Sequence, residues 1–126
     1  MRGSREVSVL PPEAEAGARL RRADRILSGK DFRRIQRQGQ RRRSPHFATI
    51  LGPGWDPTRT RLGLAISRRV AGAVGRNRVK RRLREWFRRH RIQLPKGRDL
   101  VIVARPGAAL LGEAELEREM AELLER

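Results

Sequence analysis

The chain has no cysteine and only two histidines. Disulfides, cysteine-based zinc sites and thiol nucleophiles are therefore excluded, and two imidazoles do not make a histidine-only metal cage. No apolar run approaches the roughly 20 residues of a membrane span. Arg2 and Arg5 stand near the start, but no apolar stretch of about 7–15 residues follows them, so no secretory signal is expected. A cytoplasmic protein without membrane association is the expectation. Carboxylates are scarce: 14 Asp and Glu stand against 31 Lys and Arg. The acids between positions 19 and 105 are Asp24, Asp31, Asp56, Glu85 and Asp99, too dispersed in sequence for the carboxylate cluster of a protein-only, two-metal nuclease. Lysine is also rare, at Lys30, Lys80 and Lys96 only. Two explanations stay open: arginine forks suit phosphate recognition, and a GC-rich genome would substitute Arg for Lys.

What is present in excess is positive charge, and it is unevenly placed. The formal net charge is +17 over 126 residues. Residues 1–18 hold two Arg against three Glu, residues 19–105 hold 27 cations against five acids, and residues 106–126 hold two Arg against six Glu. A cationic middle between acidic ends points to nucleic acid as the partner. The length fits one domain with a modest core. Residues 1–22, with Pro11-Pro12 and an Ala/Glu/Gly mixture, read as a flexible N-terminal extension, and residues 23–126 as a single nucleic-acid-binding domain.

The densest cationic stretch is Gly75 to Arg91, GRNRVKRRLREWFRRHR. Nine of its residues are Arg or Lys, opposed only by Glu85. Val79, Leu83, Trp86 and Phe87 fall at i, i+4, i+7 and i+8, one face of an α-helix. The stretch reads as a helix with an apolar stripe on a core and cations elsewhere, a form suited to a polyanion. Trp86 and Phe87 could stack bases, but their spacing with Val79 and Leu83 favours core packing. His90 has no acid near it in sequence and reads as a helix-end residue.

The remaining elements follow from local signals. Ser28 with Asp31 approximates a capping box, Leu27 and Phe32 a hydrophobic staple, and Gly39 a stop, giving a helix over Gly29 to Gln38. Arg41 to Pro45 is a basic turn or strand entry. His46 to Leu51 reads as a strand with Phe47, Thr49 and Leu51 on one side and His46, Ala48 and Ile50 on the other. Gly52 to Thr58 is loop punctuation around Trp55, to which no role is assigned. Arg61 to Ser67 alternates, with Leu62, Leu64 and Ile66 opposite Arg61, Gly63, Ala65 and Ser67. That second, small and polar face is either simply solvated or a platform for a ligand. Asp99 to Ala104 has the continuous apolar character of a strand buried on both faces. Leu116, Met120, Leu123 and Leu124 make a closing amphipathic helix, whose glutamates read as a solvated outer face. The order is α-β-β-α-β-α, an α+β sandwich of helices on a small central sheet.

The run from Arg61 through Ser67-Arg68-Arg69, then Arg76-Asn77-Arg78, Lys80-Arg81 and Arg84, resembles the protein subunit of bacterial ribonuclease P. Asp31-Phe32, Phe47 and Asp99 to Arg105 match that family in order, so the resemblance spans about 22–124. It implies a left-handed β-α-β crossover around the basic helix, a fold shared with a ribosomal protein domain and contrary to the usual hand. It further implies a partnership with a catalytic RNA, which holds the catalytic Mg2+ and removes the 5′ leader of precursor tRNA. The RNA-subunit surface would comprise Arg76, Asn77, Arg78, Lys80, Arg81 and Arg84; Asn77 alternatively has a capping or helix-surface role. The leader would lie along Phe32, Gln36, Ala48, Ile50, Ala65, Ser67 and Arg69. Family aromatics are replaced at Gln36 and Ile50, so base stacking should be weak, and Phe32 is equally a core residue. No catalytic residue, protein-bound cofactor or protein partner is expected. Other RNA-binding classes, such as a ribosomal or structural RNA-binding protein, share the charge and the α+β form; a DNA-binding module lacks support from any clear helix-turn-helix.

Overall fold

The computed structural model describes residues 29–54 and 57–124. Its elements are α1 (Gly29–Gln38), β1 (Gln40–Arg43), β2 (Phe47–Pro53), β3 (Arg61–Ala65), α2 (Ala73–His90), β4 (Arg98–Ala104) and α3 (Glu113–Leu124). Short 3-10 turns at Arg91–Gln93 and Ala108–Leu110 complete the chain. The strands form one sheet in the order β1-β2-β4-β3. The neighbours β1/β2 and β2/β4 are antiparallel, and β3/β4 are parallel. Parallel neighbours need a long crossover, and α2 supplies it.

The α+β sandwich expected from sequence is present, with one strand more than the alternation shows. Gln40–Arg43 has no apolar alternation, yet it pairs with β2 from Gln40↔Leu51 to Arg43↔Ala48. β2 also runs on through Gly52 and Pro53, which pair with Asp99 and Arg98, so these two residues are strand rather than loop. The helix over Gly29–Gln38 lies where the capping and stop signals put it. The capping residue Ser28, the staple residue Leu27, Trp55 and the extension 1–22 lie outside the described residues.

The pleat gives the sheet two different faces. Phe47, Leu62, Leu64, Leu100, Ile102 and Ala104 point to one side and pack against Val79, Leu83, Trp86 and Phe87 of α2 and Leu116, Met120 and Leu123 of α3. This is the main core, and most of its members are fully buried. The aromatic residues Trp86 and Phe87 are core side chains, at 3% and 0% exposure. On the other face α1 presses Phe32 and Ile35 onto Ile50, Ala65 and Val101. Gly39 and Gly52 let α1 approach closely. A Cβ on Gly39 would stand 2.6 Å from the Ile50 side chain, and one on Gly52 would stand 3.2 Å from that of Ile35.

α3 is held to the sheet by polar contacts as well as by its apolar stripe. Glu119, buried, accepts hydrogen bonds from the Ser44 hydroxyl and the His46 amide (2.7 Å), and its other oxygen lies 3.1 Å from His46 Nδ1. Burial opposes ionisation of this carboxyl, but the Ser44 and His46 hydrogen bonds outweigh it and hold the pKa below its ordinary range. Arg42 of β1 donates to the Leu123 carbonyl in the last turn of α3 (3.3 Å), where a cation also suits the helix dipole. The glutamates of α3 are therefore only partly a solvated outer face.

Candidate nucleic-acid interface

At about 100° per residue, the cations of α2 divide into groups with different surroundings. On the flank toward α3, Arg82 donates to the Leu111 carbonyl and Arg89 pairs with Glu117 at 2.7 Å. His90 lies between these elements: its ring stacks on Trp86 with centroids 4.9 Å apart, and Nε2 is 3.7 Å from Glu117. It thus has an acid partner that sequence proximity does not show. Glu85, the helix's single acid, is engaged by Arg88 and Arg89. The Arg88 hydrogen bond is the main reason its pKa lies below the ordinary range.

The other cations gather toward the N-terminal half. Lys80, Arg84, Asn77 and Arg81 lie within an arc of about 100°, with Arg76 one step inward and Arg78 one step beyond. Asn77, Arg78 and Arg81 are exposed; Arg76 and Lys80 are half-buried. Arg84 is 6% exposed, and its Nε lies 3.4 Å from the Lys80 carbonyl, so this guanidinium is held in place along the helix. Arg76 is also fixed, donating to the Ala71 carbonyl at 3.0 Å. The first turn of α2 has no acid, and its N-cap, Gly72, makes no side-chain hydrogen bond. The positive end of the helix dipole therefore adds to the field of the side chains.

Beyond the sheet, the strand register sets a second surface. Residues opposite one another share a face, so three rows cross the side that carries α1. One is Arg43–Ala48–Val103–Ala65, the next Arg41–Ile50–Val101–Gly63, and the third Gly52–Asp99–Arg61. α1 packs on the second and third and reaches Ala65 and Val103 of the first, while Arg41 at the end of the second stays exposed. Beneath the helix Arg61, 7% exposed, sits between two carboxylates. Its Nη2 is 2.7 Å from Asp99 and 3.3 Å from Asp31, and its Nε is 3.1 Å from Asp99. Arg34 closes the network, 2.9 Å from each of the same two acids. Desolvation works against the Arg61 charge, but the bonds to Asp99 and Asp31 prevail and push its pKa up.

The first row, termed the trough, carries small side chains along its middle and arginine at its end. Ala48 and Ala65 are each 6% exposed, and Val103 is half-buried. Arg43 stands at one end of the row. Arg105 continues the β4 alternation past Val103, and its amide extends the pairing by donating to the His46 carbonyl at 2.8 Å. Ser67 and Arg69 follow β3 in a turn, with the Arg69 amide 3.3 Å from Ser67 Oγ. Of the residues expected to meet a leader, Phe32, Ala48, Ile50 and Ala65 share this face; Gln36 and Arg69 are exposed and Ser67 half-buried. Phe32 and Ile50 are buried at 4% and 0%, and support the floor from beneath α1. Arg41, Arg43, Val103 and Arg105 were missed by sequence spacing. Only the β1–β2–β4 register brings them to this face.

These features can be set beside known proteins. A family model described as Ribonuclease P matches residues 20–126. The chain belongs to the ribonuclease P protein family. A ribonuclease P protein component from Syntrophobacter fumaroxidans is 40% identical over 104 residues, covering 82% of this chain and 87% of that protein. One from Desulfovibrio desulfuricans is 42% identical over 110 residues, covering 85% of each. Among solved structures, the Staphylococcus aureus RNase P protein superposes with a TM-score of 0.76 at 27% identity, covering 82% of this chain and 94% of that one. The Thermotoga maritima RNase P protein gives 0.69 at 28% identity, covering 86% and 96%. The ribonuclease P fold thus accounts for the four-stranded mixed sheet and its three helices, and tRNA 5′ maturation is the role of the family.

Proposed function

We propose that α2 docks on the catalytic RNA of ribonuclease P while the trough beside α1 receives the 5′ leader of precursor tRNA. The observation that carries this reading is the placement of two cationic surfaces on opposite faces of one sheet. α2 packs on the face opposite the Arg43–Ala48–Val103–Ala65 row. A body built in this way can hold two RNA segments at once. Arg76, Asn77, Arg78, Lys80, Arg81 and Arg84 meet the catalytic RNA through phosphates, with Asn77 able to donate and accept at a base edge or 2′-hydroxyl. The trough has no exposed aromatic side chain among the described residues, so leader nucleotides lie extended and are gripped at their phosphates by arginine.

Catalysis is assigned to the RNA. Among the described residues no group of three or more His, Asp or Glu is placed to hold a metal. The carboxylates brought together, Asp31 and Asp99, are both engaged by Arg34 and Arg61. In this reading magnesium is held by RNA phosphates, and the protein contributes substrate affinity and a cation-rich surrounding. No helix among the described residues is long and apolar enough to cross a membrane. In this proposal the work is done in the cytoplasm, with the tRNA precursors. The protein alone should not process precursor tRNA, whereas adding the catalytic RNA and magnesium should. Replacing Arg76 and Arg78 by Ala should weaken assembly and flatten the log–log salt dependence by about two units. An unchanged slope, or robust cleavage by RNA-free protein, would sink the assignment.

A further inference from the structure

Between Gly29 and Arg43 seven residues are Lys or Arg and one, Asp31, is acidic. Two of the seven have structural tasks: Arg34 in the network with Asp31 and Asp99, and Arg42 at the end of α3. Arg33, Arg37, Arg41 and Arg43 are exposed and make no ion pair among the described residues. Folding does not ask for this arrangement. Arg33 and Arg37 stand one turn apart on a short helix, where like charges oppose each other.

Their positions form a path. On α1, Arg33 and Arg37 lie about 100° and 140° around the helix from the buried Phe32, and are separated by about 6 Å along its axis. One glycine, Gly39, separates the end of α1 from β1. On β1, Arg41 and Arg43 face the α1 side of the sheet, opposite Ile50 and Ala48. Arg43 is therefore the point at which the stripe meets the trough. No exposed aromatic or apolar side chain interrupts the stripe, since the other exposed residues of this stretch beyond Arg33 are Gln36, Gln38 and Gln40. Such a surface recognises a chain of phosphates and reads no sequence.

We infer that the stripe Arg33–Arg37–Arg41 extends the leader track: it holds the phosphates of leader nucleotides that lie upstream of those seated in the trough. The inference rests on the leader reading proposed above. Continuity with the trough at Arg43 favours an extended single strand entering from that side over a separate RNA element. Contacts of this kind act by releasing counterions, and each adds to the salt dependence of binding.

The test uses the protein assembled with its catalytic RNA and compares precursor tRNAs carrying leaders of about 4 and about 12 nucleotides. In the triple variant R33Q/R37Q/R41Q, affinity for the short leader should stay within about twofold, while the added affinity of the long leader is lost. The log–log salt slope for the long leader should fall by about two units, at roughly 0.7 per lost contact to a single strand. R33K/R37K/R41K should keep most of the gain, because a point charge suffices. Equal losses for both leaders, retention of the full gain in the Gln variant, or its loss in the Lys variant would each overturn the stripe. If the unmodified assembly binds precursor and mature tRNA equally well, the leader reading itself fails and the extension falls with it.

Discussion

The two faces of the sheet are built from the same strands but solve different problems. The face under α2 and α3 is filled with large aliphatic and aromatic side chains and has no exposed floor. The face under α1 is packed by that helix chiefly over two of its three rows. It carries a buried ionic network at one end and leaves small residues flanked by arginine at the other. The comparison teaches a division of labour: the first face supplies stability, and the second gives up packing for a surface that can receive a charged strand. Burial on the first face removes apolar area from water at about 25 cal/mol per Å2, a return that Ala48 and Ala65 cannot match.

Substitutions can break or sharpen that contrast. The largest effect is expected at Phe87, fully buried on the inner side of α2. Phe87→Ala should cost about 3–5 kcal/mol in denaturant unfolding and impair every activity together. Asp99→Ala, on the opposite face, should cost about 3 kcal/mol by leaving the buried Arg61 poorly paired, and a loss near zero would show the network to be dispensable. Glu119→Gln should cost about 1–3 kcal/mol at neutral pH. Because the folded-state pKa of Glu119 lies below its ordinary value of 4.5, its contribution is present above that value and fades as pH falls through the lower folded pKa. Urea unfolding of the two proteins should therefore converge in acid; a gap that widens there would refute the linkage. The smallest effects belong to the surface. Glu85→Gln, in an exposed pair with Arg88, should change stability by less than about 0.5 kcal/mol. Arg43→Gln should be equally quiet in unfolding, yet weaken binding of leader-bearing tRNA by the assembled enzyme. A variant of Arg43 that loses stability but not binding would reverse the roles assigned to the two faces.

Much of this arrangement is legible in the chain because local rules produced it. The bounds of α1 follow from a start and a stop signal. The stripe Val79–Leu83–Trp86–Phe87 follows from helical spacing, and the opposed faces of β2 and β3 follow from the two-residue period. What is not legible depends on partners distant in sequence. β1 is a strand because β2 offers it hydrogen bonds; its own residues, Gln40 to Arg43, carry no alternation. Arg61 is buried because Asp31 and Asp99, 30 and 38 residues away, meet it there, and spacing alone gives no reason to bury a cation. Arg43, Val103 and Arg105 join the trough, and Arg41 the row beside it, only through strand register. The family motif on α2 marks the residues proposed to face the RNA, but it could not show that Arg84 is held along the helix while Arg81 makes no such contact.

The β1 strand has one more consequence. It is an outer strand of the sheet, and outer strands invite other chains to add on by backbone pairing. Here the border is four residues long, and three of them are arginine. Any second copy approaching edge to edge would bring its own arginines into register with these. The charges suited to an RNA strand thereby also oppose edge-to-edge pairing between copies. Replacing them with valine or threonine would leave the core intact and convert the border into a seed for aggregation.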